Sequence, residues 1–287
     1  NFSPGFSGSL NGNATAQRFV PVGGTNQHYF GTPVTNATFG QLGATGVAGY
    51  VLPTWNCDQT QTAINSPYGT VFQWHDDKPL NAQCLYNGWE VKVSGTTQAG
   101  RGYSTFLPNG VFSITGNINQ GASYSVNGMN NIGWNSNTLQ TTGFVPAAYE
   151  SGWHIVANPY LAPLTLNGHA PDFDAAAIWV TSGPFSGSYQ PIPITGGSIA
   201  PFQGFIVHRS SSSSVNFTFN KSECTTNAGQ TFYKQTSQYA MNIQVSGNGF
   251  NDITYVEFNT DATNTYDLGY DNRKPLSVLG QPTIFTF

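Results

Sequence analysis

Residues 152–166 read GWHIVANPYLAPLTL, and a fainter version of the same pattern stands earlier, at residues 27–33, as QHYFGTP. Set against residues 153–159, WHIVANP, the two align as a polar or aromatic residue, His, two apolar residues, a small residue, Asn or Thr, and Pro. His154 then answers His28, and Pro159 answers Pro33. A second pair of matched stretches follows each: GRGYSTFL at 100–107 and FQGFIV at 202–207, with Gly102 answering Gly204 ahead of an aromatic and an alternating strand. A repeat of this kind decides the architecture before any single element does. The chain reads as two diverged copies of one β unit, followed by a further β segment over residues 231–287.

The 287 residues are ample for two ordinary cores. Only 8% are charged, against roughly 25% in an average soluble domain. With 14% aromatics the chain is no disordered polymer, so Asn, Thr, Ser, Gln and Gly must supply the polar surface. That surface suits an extracellular protein. A net charge of −4, with nine scattered Lys and Arg, argues against a nucleic-acid partner. No apolar run approaches the roughly 18 residues that span a bilayer. The opening NFSPGFSGSL is polar and Gly-rich and does not read as a leader, as expected of a mature or excised chain.

Period-two alternation, bounded by Gly, Asn and Pro, predicts strands over residues 18–22, 28–30, 70–74, 89–93, 102–107, 111–115 and 123–126 in the first copy. Residues 1–17 read as irregular, 116–121 as a turn, and 127–142 as a linker between copies. The second copy gives strands at 153–157, 176–180, 189–194, 204–208 and 215–219, with the serine run at 210–214 as a hairpin tip. Strands at 239–245 and 253–258 flank a turn at 246–252. No segment of ten residues carries a 3.6-residue apolar period, so helix should be nearly absent. The expected fold is all-β: two tandem jelly-roll-like or Ig-like β-sandwiches. The first spans residues 1–145 with a cysteine-containing insertion. The second spans 146–287, completed by the C-terminal β segment.

The insertion is read from spacing. His28 and Gly102 are 74 positions apart, His154 and Gly204 only 50, so the first copy carries 24 extra residues there. Cys57 and Cys84 both lie within that interval. A disulfide between them is the preferred reading, and would stabilise by about 3.5 kcal/mol in the chain-entropy model. The alternative is two buried free thiols. No CxxC or His–Cys spacing points to a metal. Cys224 is the odd one, either free or paired across chains.

At this point the residues resemble a known group. GWHIVANPY is similar to the GW-x-LVGNPYPS strand of large secreted proteins of Bacteroidetes-type bacteria. AAIWV, SYQPI and SIAPFQGFIVHRSSSSSVNFTF resemble the series that follows it there. AMNIQVSGNGFNDITYVEFNTDATNTYDLGYDNRKPL resembles their next segment, and the likeness covers most of residues 70–280. Those proteins are cargo of the type IX secretion system, among them adhesins, giant surface proteins and non-catalytic parts of enzymes. The resemblance implies secretion or surface display, with outer-membrane attachment through a sorting domain beyond Phe287.

Candidate chemistry is sparse. His28 and His154 are accounted for by the repeat, and His75-Asp76-Asp77 reads as a solvated turn after a strand. No G-x-S-x-G, H-E-x-x-H or EF-hand loop occurs, and no pair of carboxylates stands out as a glycosidase would require. Asp252, Glu257, Asp261, Asp267 and Asp271 put five of thirteen carboxylates into twenty residues, a pattern calcium would accept; turn capping explains Asp267 and Asp271 equally. No cofactor is required, and calcium is the one candidate ion. Trp55, Trp89 and Trp134, in or beside loop-rich segments, are the candidates for stacking on sugar rings, whereas Trp74, Trp153 and Trp179 fall in strands and read as core. The functional expectation is a non-catalytic extracellular or cell-surface module, structural or adhesive, partnered by copies of itself through edge strands or by host or environmental glycans. The rival is a carbohydrate-binding module attached to a secreted hydrolase.

Overall fold

A computed structural model describes residues 11–20, 27–44, 70–75, 89–107, 110–131, 151–181, 188–225, 240–247 and 250–257. Unit one contains β1 (Asn13–Val20), β2 (His28–Phe30), β3 (Val34–Thr35), β4 (Val71–Trp74), β5 (Trp89–Val91), β6 (Tyr103–Thr105) and β7 (Gly110–Ile118). Unit two contains β8 (Ser123–Met129), β9 (Trp153–Ala157), β10 (Leu164–Thr165), β11 (Ala175–Val180), β12 (Ser188–Pro191), β13 (Ser198–Ile199), β14 (Gly204–His208) and β15 (Val215–Asn220). A hairpin of β16 (Ala240–Gly247) and β17 (Phe250–Glu257) follows. Helix among the described residues is confined to short 3₁₀ turns such as Phe39–Leu42 and Lys221–Glu223.

Each unit is two antiparallel sheets face to face. In unit one the sheet β1-β7-β3 covers the sheet β2-β6-β4-β5. In unit two β8–β15 and β10–β13 cover β9-β14-β11-β12. The four-stranded orders match position for position, and so do the registers. His28 faces Thr105 and Phe30 faces Tyr103 in unit one; His154 faces Val207 and Val156 faces Phe205 in unit two. With Gly102 set on Gly204, these are the same pairs. The next ladders agree as well: Trp74 opposite Trp89 corresponds to Trp179 opposite Tyr189. The Thr38–Thr96 bridge of unit one stands where β10 and β13 pair in unit two.

Alternation builds the layers. In β7 the residues Phe112, Ile114 and Gly116 point inward, while Val111, Ser113, Thr115 and Asn117 are exposed. Phe112 and Ile114 meet Phe30, Tyr103 and Val71 of the facing sheet in the core of unit one. In unit two Phe217 and Phe219 of β15 meet Phe205, Val207 and Val156. A third layer, with Tyr29, Trp153, Ile155, Ala175, Ala177 and Ile206, lies between the two four-stranded sheets. Each four-stranded sheet is thus covered on both faces, once by its own partner sheet and once by the other unit.

Several expectations change. Residues 13–17 are not irregular but the first half of β1; apart from Thr15 they are Asn, Ala and Gln, with little intrinsic strand preference, and cross-strand pairing with β7 supplies what they lack. Gly116 is no turn residue. It lies within β7, where a Cβ would stand 2.3 Å from the Thr35 carbonyl, so its role is to admit β3. Asn127, Gly128 and Met129 belong to β8 rather than to a linker. β8 pairs with β15 and buries Val126 and Met129 in the second core, so the second sandwich begins well before residue 146. The serine run is not a hairpin tip, since β14 and β15 lie in different sheets and the run carries the chain between them. Of the turn expected at 246–252, Ser246, Gly247, Asn251 and Asp252 belong instead to the β16–β17 ladder, with Gly247 opposite Phe250.

Candidate functional surfaces

The junction between the units is the most constructed surface of the molecule. Its backbone contacts come in matched pairs. Gly31 N donates to Phe202 O at 3.0 Å, and Ala157 N donates to Gly100 O at 2.8 Å. Phe30 bridges Gln203, and Arg101 bridges Val156. Phe202 adopts a left-handed φ of 65°, where its counterpart Gly100 has φ 84°. A side chain rarely accepts that conformation, but the Phe202 ring is buried in the core of unit one, its centroid 5.3 Å from that of Phe30.

Aromatic side chains close the junction. Tyr29 of β2 reaches into unit two, where its ring lies 6.4 Å from Trp179 and 6.0 Å from Tyr189, and its hydroxyl hydrogen-bonds the Tyr189 hydroxyl. Burial raises the Tyr29 phenol well above its ordinary range, and the neighbouring Tyr189 adds to the effect. Burial likewise pushes Tyr189 up to about 12. Trp74 of unit one donates its indole N–H to Trp153 O at 2.7 Å. Trp74, Trp153 and Trp179, read from sequence as core, are used here, between cores.

Buried polar groups in unit two form four tight sets. Asn158 is fully buried; its amide donates to the carbonyls of Ala162, Ile199 and Ala200, and its oxygen accepts from Tyr160 N. His169 bonds Glu223 at 3.0 Å and stacks on Phe217 at 4.0 Å, while Glu223 also accepts from Asn167 N and Asn220 N. His208 engages Asp174 through Nδ1 and the Ser151 carbonyl through Nε2, so neither ring nitrogen faces solvent. Arg209, 3% exposed, donates to the Asp172 carbonyl and carboxylate and to Ser213 O and Oγ, which anchors the serine run. These groups spend their hydrogen-bonding capacity on the fold itself.

Of the histidines singled out earlier, His28 is wholly buried on β2, and His154 contacts the Asn130 carbonyl at 3.0 Å. His75 pairs with Glu90 across the β4–β5 ladder at 2.5 Å, and Lys92 reaches the same carboxylate at 2.9 Å. Burial works to raise the Glu90 pKa, but the hydrogen bonds from Lys92 and His75 outweigh it and hold the carboxyl below its usual range. Trp89 stands on β5 opposite Trp74. Trp55, Trp134, Cys57, Cys84, Asp261, Asp267 and Asp271 lie outside the described residues. Asp252 and Glu257 lie on β17, opposite Val245 and Ala240. Among the described residues no group of three or more His, Cys, Asp or Glu converges as a metal site, and no helix is long and apolar enough to cross a membrane. Cys224 is a free thiol, half-buried, and burial pushes its pKa up to about 11.

The outer faces are what the sequence described only as composition. Along β1 and β7 the outward pairs are Asn13–Asn117, Thr15–Thr115, Gln17–Ser113 and Phe19–Val111. The Thr15 and Thr115 hydroxyls bond at 2.9 Å, and Gln17 donates to Ser113 at 3.0 Å. In unit two Ser123 faces Asn220, and Ser125 bonds Thr218 at 2.8 Å. These side chains are uncharged, and three of the pairs are bonded across the ladder. Comparison of the chain with protein-family models, with curated proteins and with solved structures finds no match.

Proposed function

We propose that this chain is a non-catalytic extracellular or cell-surface module, structural or adhesive, of the type IX cargo kind that its sequence resembles. The finer fold assignment goes with it. We read each unit as jelly-roll-like, a reading supported by the strand orders β1-β7-β3 with β2-β6-β4-β5 and β8–β15 with β9-β14-β11-β12. The observation that carries the functional reading is the outer face of β1–β7, a ladder of Asn, Thr, Gln and Ser ending on the exposed pair Phe19–Val111, with no charge among its outward pairs. Charge is the usual guard against edge-to-edge pairing. Arg18 is the only charged residue of β1, which among the described residues is an end strand of its sheet. A partner strand supplied by a second copy has a template there.

The test is association of the full chain. Sedimentation at increasing concentration should show oligomers, and a Thr15→Lys, Gln17→Lys variant should abolish them while leaving the melting temperature within about 2 °C, as expected of exposed substitutions. Monodisperse monomers of the unaltered chain at high concentration would defeat the self-assembly reading.

The rival reading, a carbohydrate-binding module on a secreted hydrolase, rests on Trp55, Trp89 and Trp134. Glycan binding by the chain that disappears in a triple Trp→Ala variant of those three would reverse the order of the two readings.

A further inference from the structure

The paired contacts at the junction describe an approximate two-fold axis. Phe30 to Gln203 and Val156 to Arg101 are one contact made twice, as are Gly31 to Phe202 and Ala157 to Gly100. The close approaches repeat too. A Cβ on Gly102 would stand 2.6 Å from Val156 O, and one on its counterpart Gly204 would stand 2.7 Å from Phe30 N. A contact in which each partner offers the same patch is the geometry of a symmetric dimer, here made by two halves of one chain.

Gly31 and Ala157 answer one another across this axis and therefore lie on it. A Cβ built on Gly31 would stand 2.1 Å from the Ala157 Cβ, and the next atoms, Arg101 O and Ala157 Cα, are at 3.4 and 3.5 Å. One methyl group fits on the axis and two do not. A second asymmetry acts in the same sense. At the position where unit two inserts Phe202 into unit one, unit one carries Gly100, and a Cβ on Gly100 would stand 3.2–3.3 Å from Phe219 and Val126. Two copies of unit two would bring alanine onto alanine and press a Phe202 ring into that occupied space. Two copies of unit one would leave the Phe202 site in the core empty.

We infer that the inner face of each sandwich is a self-complementary recognition surface whose partner is another copy of the β unit, and that the Gly31–Ala157 pair on its axis, together with Phe202 seated in the core of unit one, restricts pairing to unlike copies. The partner in this chain is the other unit. The restriction makes the chain close on itself rather than match like with like.

The experiment exchanges the axial pair in the full chain. Gly31→Ala places two methyl groups on the axis and should lower the melting midpoint by about 5–10 °C, or prevent folding. Gly31→Ala combined with Ala157→Gly moves the single methyl to the other side of the axis. It should return the midpoint to within about 3 °C of the unaltered chain, with restored tryptophan fluorescence. A double variant as damaged as the single one would overturn the inference, because Gly31 would then be required for its own local surroundings and not for its partner. A Gly31→Ala chain that melts normally would overturn it as well.

Discussion

Trp74 donates its indole N–H to the main-chain carbonyl of Trp153 at 2.7 Å, and this bond ties β4 of one sandwich to β9 of the other. Trp74→Phe keeps an aromatic ring and removes the donor. The expected loss is about 1–2 kcal/mol, a missing hydrogen bond plus a carbonyl left partly unserved. Urea unfolding followed by circular dichroism measures it, and unaltered stability would deny that the bond forms.

Asn158 satisfies three carbonyls and one amide from a single buried side chain. Asn158→Ala leaves those groups without a partner and should cost at least 3 kcal/mol. Asn158→Asp should be no better, because a carboxylate would face three carbonyl oxygens. Thermal melts of both variants check this, and a mild effect of the Asp variant would contradict the assigned amide orientation.

Phe202 holds an unfavourable φ because its ring fills the neighbouring unit's core. Phe202→Ala removes the ring and keeps the strain, so a loss of about 3–5 kcal/mol is expected. A cost below about 1 kcal/mol, read from chemical denaturation, would mean that the ring is not seated there.

Stability should fall in alkali. Tyr29, Tyr189 and Cys224 all have raised folded-state pKa values, Tyr189 to about 12 and Cys224 to about 11, chiefly through burial. Groups of this kind give stability that is complete below their unfolded values and is lost as pH rises towards the folded ones. For Cys224 the window opens near the ordinary thiol value of 9.0 and for the tyrosines near the ordinary phenol value of 10.0. Melting temperature should therefore be flat from pH 7 to about pH 9 and drop progressively up to pH 12. Tyr29→Phe should flatten part of that drop, and an unchanged slope would remove the junction tyrosines from the explanation.

Much of this architecture was legible because the repeat leaves its trace where the backbone is most constrained. His28 with His154 and Gly102 with Gly204 mark strands buried on both faces, and there the two copies have kept the same register. Less was legible where pairing overrides local preference. The start of β1, with Asn13, Ala14 and Ala16, and the end of β8, with Asn127 and Gly128, take their strand character from β7 and β15 and not from themselves. The fate of Trp74, Trp153 and Trp179 was hidden for another reason. Alternation tells which residues leave solvent, but a sheet covered on both faces has two destinations, and periodicity does not distinguish them.

The central claim is that one β unit is used twice and packed inner face to inner face. Native-state amide exchange tests it most directly, at the N–H groups of Gly31 and Ala157, whose acceptors, Phe202 O and Gly100 O, belong to the opposite unit. The account predicts that both amides exchange as slowly as those within the β9–β14 ladder. Rapid exchange at these two positions, with the ladders of both sandwiches still protected, would mean that the units fold separately and do not meet on these faces.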